Sequence, residues 1–251
     1  MWDNPRLANA AAGAIAALAL GLVAYAGGRV LLDSQAFLLK TIVVEGTLAR
    51  VQSREIVDAL QGRLRGTFFT VDLEAARSLF EGIPWVRRAE LRRRWPDSLE
   101  VRIEEQVPLA RWGQSRKETQ LMNAQGELFR GRSDAELPVL AGPTGSEAEV
   151  ARRYIAFRDL LAPLGLEPRQ VLLSSRLAWQ LRLSNGLTVQ LGRDSDRDRV
   201  EERLARFVSA FPQTLAKSRH RLEYVDLRYP NGFAVRATES PAREPQAHKR
   251  V

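Results

Sequence analysis

Hydrophobic and polar residues are mixed along most of this chain, but one segment near its start is almost uniformly apolar. Between Leu7 and Gly28 the only strongly polar residue is Asn9. At a rise of about 1.5 Å per residue, a helix of this length reaches about 31 Å, close to the roughly 30 Å hydrocarbon core of a bilayer. The pattern predicts one membrane-spanning helix over Leu7–Gly28.

The sequence leaves two interpretations of this helix open. A retained anchor, with residues 1–6 in the cytoplasm and the body exported, agrees with the positive-inside rule through Arg6, although Asp3 and Arg29 weaken that bias. A cleaved signal peptide is the alternative, because Ala24-Tyr25-Ala26 fits a cleavage site. The apolar run is longer than the about 7 to 15 residues of a signal core, so we expect a retained anchor.

Residues 37–112 follow the pattern strand, helix, helix, strand, strand. The predicted elements are a strand at Leu39–Val44, helices at Ser53–Gln61 and from Asp72 to Gly82, and two alternating arms joined at Trp95–Ser98. Apolar residues recur at helical spacing in the two helices and with a period of two in the arms. We expect a small α+β domain ending in a hairpin.

Arginines crowd the first arm of this hairpin, among them Arg92 and Arg94. One interpretation is a patch that binds phosphates or anionic lipid; the other is a solvated sheet face partly neutralised by Glu100 and Glu104 across the hairpin. The alternation with apolar residues favours the solvated face.

Beyond Gly113 the sequence changes character, and we predict a domain boundary within Gly113–Lys117. Residues 117–238 predict a second α+β domain, and residues 239–251, rich in Pro and charge, predict a disordered tail. The main predicted elements are helices at Ser146–Ala162 and Ser195–Phe211 and strands at Ala178–Leu183, Leu187–Leu191, Leu222–Tyr229 and Phe233–Val235.

Composition argues against catalysis and metal binding. The chain has no Cys, only two His and a net charge of +8. We find no Ser-His-Asp arrangement and no Gly-rich phosphate loop. Asp194, Asp196 and Asp198 lack the Gly and Glu of a calcium loop and fit the start of a helix better. An exported body also argues against nucleic acid as a partner. From composition and motifs together we predict no catalytic residue, metal or cofactor.

The last predicted strand offers a physical route to binding. If it forms a sheet edge, its unpaired N–H and C=O groups can accept a partner strand. Tyr224 and Tyr229 are candidate aromatic anchors. The alternative, that both tyrosines are core residues, is equally consistent with the pattern.

Motifs in both predicted domains resemble the FtsQ/DivIB family of bacterial cell-division proteins. The motifs are Ile83–Val86, Arg94–Leu99, Val107–Trp112, Leu191–Arg193, Arg203–Phe207 and Tyr224–Tyr229. The resemblance implies a POTRA domain over 37–112 and a C-terminal mixed α/β domain with a mainly antiparallel sheet over 117–238. It also implies a non-enzymatic, single-pass inner-membrane scaffold that links division proteins and helps control septal peptidoglycan synthesis.

The same resemblance implies two binding surfaces. The small bitopic division protein FtsB, itself joined to FtsL, would contact the C-terminal strand region; the matching residues are Arg193, Tyr224, Tyr229, Asn231, Gly232 and Phe233. An upstream division protein would contact the POTRA domain near Arg88, Leu91 and Arg93. Two alternatives stay open: a POTRA-type assembly factor for exported polypeptides, and a basic envelope protein that binds lipid or glycan through the arginine-rich hairpin.

Overall fold

A computed structural model of the chain describes residues 5–32, 34, 37–46, 48–113, 120–195, 198–214, 221–229 and 232–238. The chain divides into two compact units, Met1–Gln106 and Val107–Val251. The predicted tail at 239–251 and the predicted contact residue Asn231 lie outside the described residues.

The first helix, α1 (Pro5–Leu32), contains the apolar segment. Within it, Asn9–Val30 is long and apolar enough to cross a membrane, and none of that segment is buried inside the protein. Large side chains such as Leu20 and Val23 are exposed along it. A bilayer is the environment in which such a surface is stable.

The rest of the first unit has the predicted order of strand, two helices and hairpin. Its elements are β1 (Thr41–Glu45), α2 (Ser53–Leu60), α3 (Leu73–Glu81), β2 (Val86–Arg94) and β3 (Ser98–Glu105). The sheet order is β1-β3-β2, with β1 parallel and β2 antiparallel to β3. The Asp72 carboxylate caps α3 by accepting the N–H groups of Glu74 and Ala75, as its position in the sequence predicts.

A separate apolar core holds this unit together. Ile56 and Leu60 of α2 and Phe80 of α3 pack on Ala89 and Val101 of the sheet. Each of these residues is buried. The helices therefore cover one face of the three-stranded sheet, and the other face carries the charged residues of the hairpin.

The second unit contains one mixed sheet with two long helices. Its elements are β4 (Ala110–Trp112), β5 (Gln120–Met122), β6 (Leu128–Arg130), β7 (Val139–Ala141), α4 (Glu147–Leu161), β8 (Pro168–Leu173), β9 (Ala178–Leu183), β10 (Thr188–Arg193), α5 (Val200–Thr214), β11 (Arg221–Asp226) and β12 (Ala234–Thr238). Among the described residues the strand order is β12-β11-β10-β9-β8-β7-β4-β5-β6. The α+β class is confirmed, and the sheet is mixed, because β10–β11, β7–β8 and β4–β7 pair in parallel.

A row of buried residues crosses this sheet and forms the centre of the second core. The row runs through register partners on six strands: Val225, Val189, Leu181, Val171, Leu140 and Trp112. Phe157 of α4 and Phe207 of α5 are fully buried in the same cluster. Because successive strand residues point to opposite faces, the neighbours of this row lie on the uncovered face.

Several sequence predictions differ from the structure. The strand Ala110–Trp112, assigned above to the first domain, pairs with β5 and β7 of the second sheet. Helix α5 begins at Val200 rather than Ser195, because Ser195 and Asp198 exchange backbone hydrogen bonds in a short turn before it. It also continues two residues past Pro212.

The predicted strand Leu222–Tyr229 is also shorter in the structure. Strand β11 ends at Asp226, whose side chain accepts the N–H of Arg228 at 3.1 Å. A side-chain contact of this kind redirects the backbone two residues on. Tyr229 therefore lies in the connection to β12 and not in a strand.

Candidate partner-binding site

Strand β12 forms one edge of the second sheet. It pairs on one side with β11, and no strand lies on its other side within the described residues. Side chains from Ala234 to Ala237 are exposed. An edge of this kind presents N–H and C=O groups that an extended segment can pair with.

A groove of about 350 Å³ lies beside this edge, between α5 and the β11–β12 connection. Its lining residues are Arg203, Arg206, Phe207, Ala210, Leu227, Tyr229, Gly232 and Phe233. Tyr229 is 56% exposed and is therefore not a core residue. The ring centroids of Phe207 and Phe233 are 6.2 Å apart in an edge-to-face arrangement.

Arg203 links the floor of the groove to the sheet. Its guanidinium donates to the carbonyl oxygens of Leu191 at 2.5 Å and Arg193 at 2.9 Å. It also donates to the carboxylate of Asp198 at 2.7 Å and to the Asp198 carbonyl at 2.8 Å. Only 8% of this side chain is exposed, so the contacts are made largely out of water.

The Asp198 carboxylate binds two arginines of α5. Arg206 donates to it at 2.9 Å from a side chain that is half exposed. Burial raises the pKa of Asp198, but the hydrogen bonds and charges of Arg203 and Arg206 outweigh that effect and lower it. The carboxylate therefore stays ionised and fixes both arginines at the start of the groove.

A second ion pair shapes the connection that carries Tyr229. The Arg228 guanidinium donates to both carboxylate oxygens of Asp226, the shortest contact being 2.6 Å. This hydrogen bonding lowers the pKa of Asp226. Gly192 makes room for it: a Cβ at that position would lie 2.8 Å from Cγ of Arg228. The backbone of Gly192 also has φ +77°, which favours glycine.

The predicted contact residues form two groups in the structure. Tyr229, Gly232 and Phe233 line the groove together. Tyr224 does not join them, because it lies in register with Arg236 on the face of the sheet opposite the helices. The Arg236 guanidinium carbon is 5.8 Å from the centre of the Tyr224 ring. Burial and the charge of Asp226 raise the pKa of Tyr224, so its hydroxyl is neutral at pH 7.

Positive charge surrounds this edge. Arg193, at the end of β10, is exposed, and its carbonyl accepts a hydrogen bond from Arg203. In the part of the chain that the structure describes, no carboxylate pairs with Arg193 or Arg236, whereas Arg203 and Arg228 are paired. The edge and its groove therefore suit a partner with acidic side chains.

Sequence reasoning did not assign a role to the α5 side of the groove. Arg203, Phe207 and Ala210 belong to a helix that the hydrophobic periodicity predicts. The sequence does not predict that the β11–β12 connection packs next to this helix. One signal was available: Arg203 lies three residues after Val200 and one before Leu204, on the apolar face of the helix. A charged residue on a core-facing stripe indicates a buried polar contact.

The predicted recruitment residues of the first unit have different environments. Leu91 is partly buried against the core, and Arg93 donates to the carbonyl oxygens of Phe68 at 2.8 Å and Val71 at 2.9 Å. Arg88 is exposed, and alternation along β2 places it on the opposite face from Leu91 and Arg93. The three share a sheet edge but not one face.

The aspartates before α5 have structural partners. Asp194 accepts the N–H of Val200 at 2.9 Å, which satisfies a free donor at the start of α5. Asp194 also binds Arg153, which contacts Glu149 and Glu201 as well. Asp196 lies outside the described residues, and those that are described contain no cluster of three or more His, Cys, Asp or Glu suited to a metal ion.

Comparison with known families assigns both units. Residues 37–106 match the POTRA domain, FtsQ-type. Residues 110–228 match the family described as Cell division protein FtsQ/DivIB, C-terminal.

Curated relatives match over nearly the whole length. Cell division protein FtsQ of Burkholderia pseudomallei (strain K96243) is 45% identical over 240 residues, covering 94% of this chain and 94% of that protein. The protein of the same name from Nitrosospira multiformis is 40% identical over 95% of this chain and 100% of its own. That of Bordetella pertussis is 37% identical, over 96% and 94% respectively.

Proposed function

The chain belongs to the FtsQ/DivIB family of bacterial cell-division proteins, as its motifs predict, and we propose that it acts as a non-enzymatic scaffold of the division machinery. In this proposal it recruits and links other division proteins and helps control septal peptidoglycan synthesis. The observation that carries the proposal is the open edge of β12 beside an apolar, arginine-lined groove.

The proposed topology is a single retained span with residues 1–6 in the cytoplasm and both units in the periplasm at the septum. Helix α1 supports a single-pass protein because its apolar surface is exposed over the length of a bilayer. The proposed domains are a POTRA domain and a C-terminal domain, for which the sequence predicts the ranges 37–112 and 117–238. The pairing of Ala110–Trp112 with the second sheet favours ending the first of them at Gln106.

We propose that the C-terminal edge binds a segment of FtsB, which carries FtsL with it. The segment would extend the sheet along β12, with alternate side chains next to Val235 and Phe233 on the helix side. An aromatic or aliphatic residue would enter the groove against Tyr229. Acidic residues would lie near Arg193, Arg206 and Arg236, which supply the positive charge of this edge.

The POTRA domain is proposed to recruit an upstream division protein through strand β2. This strand is an edge of its sheet within the described residues, so backbone pairing is available there too. Arg88 and Arg93 are the exposed members of the predicted set, and the Arg93 guanidinium already donates to Phe68 and Val71. One donor of the edge is already used, since the N–H of Ala89 bonds to the Glu81 carboxylate at 3.2 Å.

A binding experiment separates this proposal from its alternatives. The full chain, reconstituted in nanodiscs, is used to capture FtsB and FtsL, and the Tyr229→Ala variant is expected to lose at least tenfold in affinity, typical of a binding hot spot. Arg92→Ala plus Arg94→Ala is expected to keep the wild-type affinity. The control is Val107→Ala, which shortens another exposed apolar side chain of the same unit.

Two results would contradict the proposal. Full capture by Tyr229→Ala together with loss on the arginine substitutions would favour the basic envelope protein. Equal capture of unrelated unfolded exported polypeptides would favour an assembly factor. In the source cell, depletion is expected to produce filaments with segregated chromosomes and no septa, whereas normal septation would refute the division role.

A further inference from the structure

Three segments of the first unit meet at one end of its sheet. This is the end at which β1 begins, and it is therefore the end nearer to α1 along the chain. Strands β1 and β3 are parallel, so the start of β1 lies beside the hairpin turn, and the N–H of Lys40 donates to the Asp97 carbonyl at 2.9 Å. The loop before α3 joins them, because the N–H of Phe68 donates to the Phe37 carbonyl at 2.7 Å. Arg93 fixes the same loop to the end of β2.

This end of the unit presents large apolar side chains to the outside. Trp95 is 74% exposed, Leu38 46% and Phe69 43%. Phe69 also meets the Phe37 ring edge-to-face, with centroids 5.0 Å apart. Neither core cluster of the chain includes Trp95, Leu38 or Phe69. Tryptophan and tyrosine are enriched at the boundary between water and hydrocarbon, because the polar group of the side chain can contact water while the ring contacts lipid.

Basic residues flank these apolar side chains. Arg92 and Arg94 are exposed, and within the described residues neither forms an ion pair, although Glu100 lies opposite Arg92 in the sheet register. Lys40 pairs with Asp97 at 3.4 Å. Exposed arginines near a membrane attract anionic lipid headgroups, and apolar aromatic side chains beside them favour the interface.

The length of the connection limits where this end can lie. Only residues 33–36 separate Leu32, the last residue of α1, from Phe37. Five peptide steps reach at most about 18 Å when fully extended. The headgroup layer begins where the apolar span ends, so these side chains are held within reach of it.

We propose that the surface formed by Leu38, Phe69, Trp95, Arg92 and Arg94, here named the tip surface, docks on the headgroup region of the same membrane that holds α1. Trp95, Phe69 and Leu38 enter the interface, and the two arginines bind anionic phosphate groups. The proposal depends on retention of α1, which is part of the proposed function, but not on any division partner.

Spin labelling of the full chain in nanodiscs tests this docking. The protein has no Cys, so a single introduced Cys gives one label. Trp95→Cys places the label in the tip surface, Leu38→Cys gives a second position there, and Pro84→Cys is the control before the start of β2. The nine residues of β2 place Pro84 about 30 Å from the tip.

The collision rates of the label with oxygen and with a water-soluble nickel complex report its depth. Docking predicts that labels at 95 and 38 favour oxygen, which concentrates in lipid, while the label at 84 favours nickel. Nickel-dominated collisions at all three positions would overturn the proposal and leave the tip surface for a protein partner. Because the discs contain α1 in every arm and no division partner, this outcome is independent of FtsB binding.

Charge substitutions test the headgroup contact. In discs of phosphatidylcholine with phosphatidylglycerol, Arg92→Gln plus Arg94→Gln is expected to lower the ratio of docked to undocked protein about twenty-five-fold, roughly fivefold for each charge near an anionic surface. In phosphatidylcholine alone the loss is expected to be small. The matched control is Arg54→Gln plus Arg88→Gln, two exposed arginines nearer the other end of the unit. Equal effects of the two pairs would contradict a specific role for Arg92 and Arg94.

Discussion

At the scale of single residues, side chains that bind the backbone carry much of the structure around the site. Arg203 uses one guanidinium to join α5 to the end of β10 and to Asp198. Glu105 does the equivalent in the first unit, where its carboxylate accepts the N–H groups of Ala49, Arg50 and Val51 at 2.8 to 3.1 Å. Both residues satisfy backbone groups that no helix or strand satisfies.

Removing Arg203 is expected to destabilise the second unit strongly. Arg203→Met leaves the Leu191 carbonyl without this donor and leaves the Asp198 carboxylate with Arg206 alone, and we expect a loss of about 3 kcal/mol in the free energy of unfolding. Arg206→Met, which removes a half-exposed partner of the same carboxylate, is the control, with a loss of at most about 1 kcal/mol. Denaturant unfolding of the full chain in detergent measures both. Similar losses would contradict the structural role of Arg203.

Glu105 is expected to make the stability of the first unit depend on pH. Burial raises the pKa of this carboxyl, but the hydrogen bonds from Val51, Arg50 and Ala49 and the charge of Arg50 outweigh burial and lower it. A pKa lowered by folding gives stability that is complete above the unfolded value, about 4.3, and is lost as the pH falls through the folded value.

Glu105→Gln is therefore expected to cost about 2 kcal/mol at pH 7 and much less at pH 3. Unfolding by urea at the two pH values measures the difference. Glu104→Gln, which changes an exposed carboxylate that binds Arg87, is the control and should differ by less than about 1 kcal/mol at either pH. A cost for Glu105→Gln that is the same at both pH values would exclude the ionised carboxylate as its cause.

At the scale of elements, the edge strand β12 and helix α5 together form the candidate site. Their positions were only partly predictable from the sequence. The strand-helix-helix-strand-strand order of the first unit and the helix Glu147–Leu161 follow from local periodicity. Parallel pairing of β10 with β11 brings together residues over thirty positions apart, which no local pattern specifies.

The site residues show the same division between local and non-local information. The importance of Tyr229 and Phe233 was predicted from motif and resemblance, but their location was not, because the contact between Asp226 and Arg228 ends β11 early. Tyr224 was grouped with them and lies on the other face. A period of two predicts which residues share a face only while the strand continues.

Hydrogen exchange is expected to identify the edge that the partner uses. Free β12 should exchange faster than β11, because it pairs on one side only. When FtsB and FtsL bind, amides of 234–238 should slow at least tenfold, equivalent to about 1.4 kcal/mol of local stabilisation. Mass spectrometry of the full chain in nanodiscs measures this. Protection of β6, the opposite edge of the sheet, with no change at β12 would contradict the proposed site.

At the scale of the whole molecule, the described residues contain one candidate span and two units that each have their own core. This arrangement separates three tasks, which we propose to be anchoring, recruitment and capture of a partner. In this proposal the apolar segment determines where recruitment and capture take place, and it supplies no chemistry of its own.

The anchor is expected to remain part of the mature protein. A chain tagged at both ends should be recovered in the membrane fraction as one species that carries both tags and resists extraction by carbonate. Immunoblotting against each tag measures this. An N-terminal tag released from a body shortened by about 26 residues would indicate cleavage after Ala26.

The free edge of β12 also bears on how the protein avoids its own copies. An edge strand that can pair with a partner segment can also pair with the same edge of a second copy. Repeated pairing between edges of this kind produces aggregates. Arg236 would face the arginines of a second copy, and like charges placed opposite each other oppose pairing. The register shift between Leu222 and Tyr224 also makes the last ladder irregular. In the proposed function, selectivity for an acidic partner and resistance to self-assembly would thus come from the same positive charge.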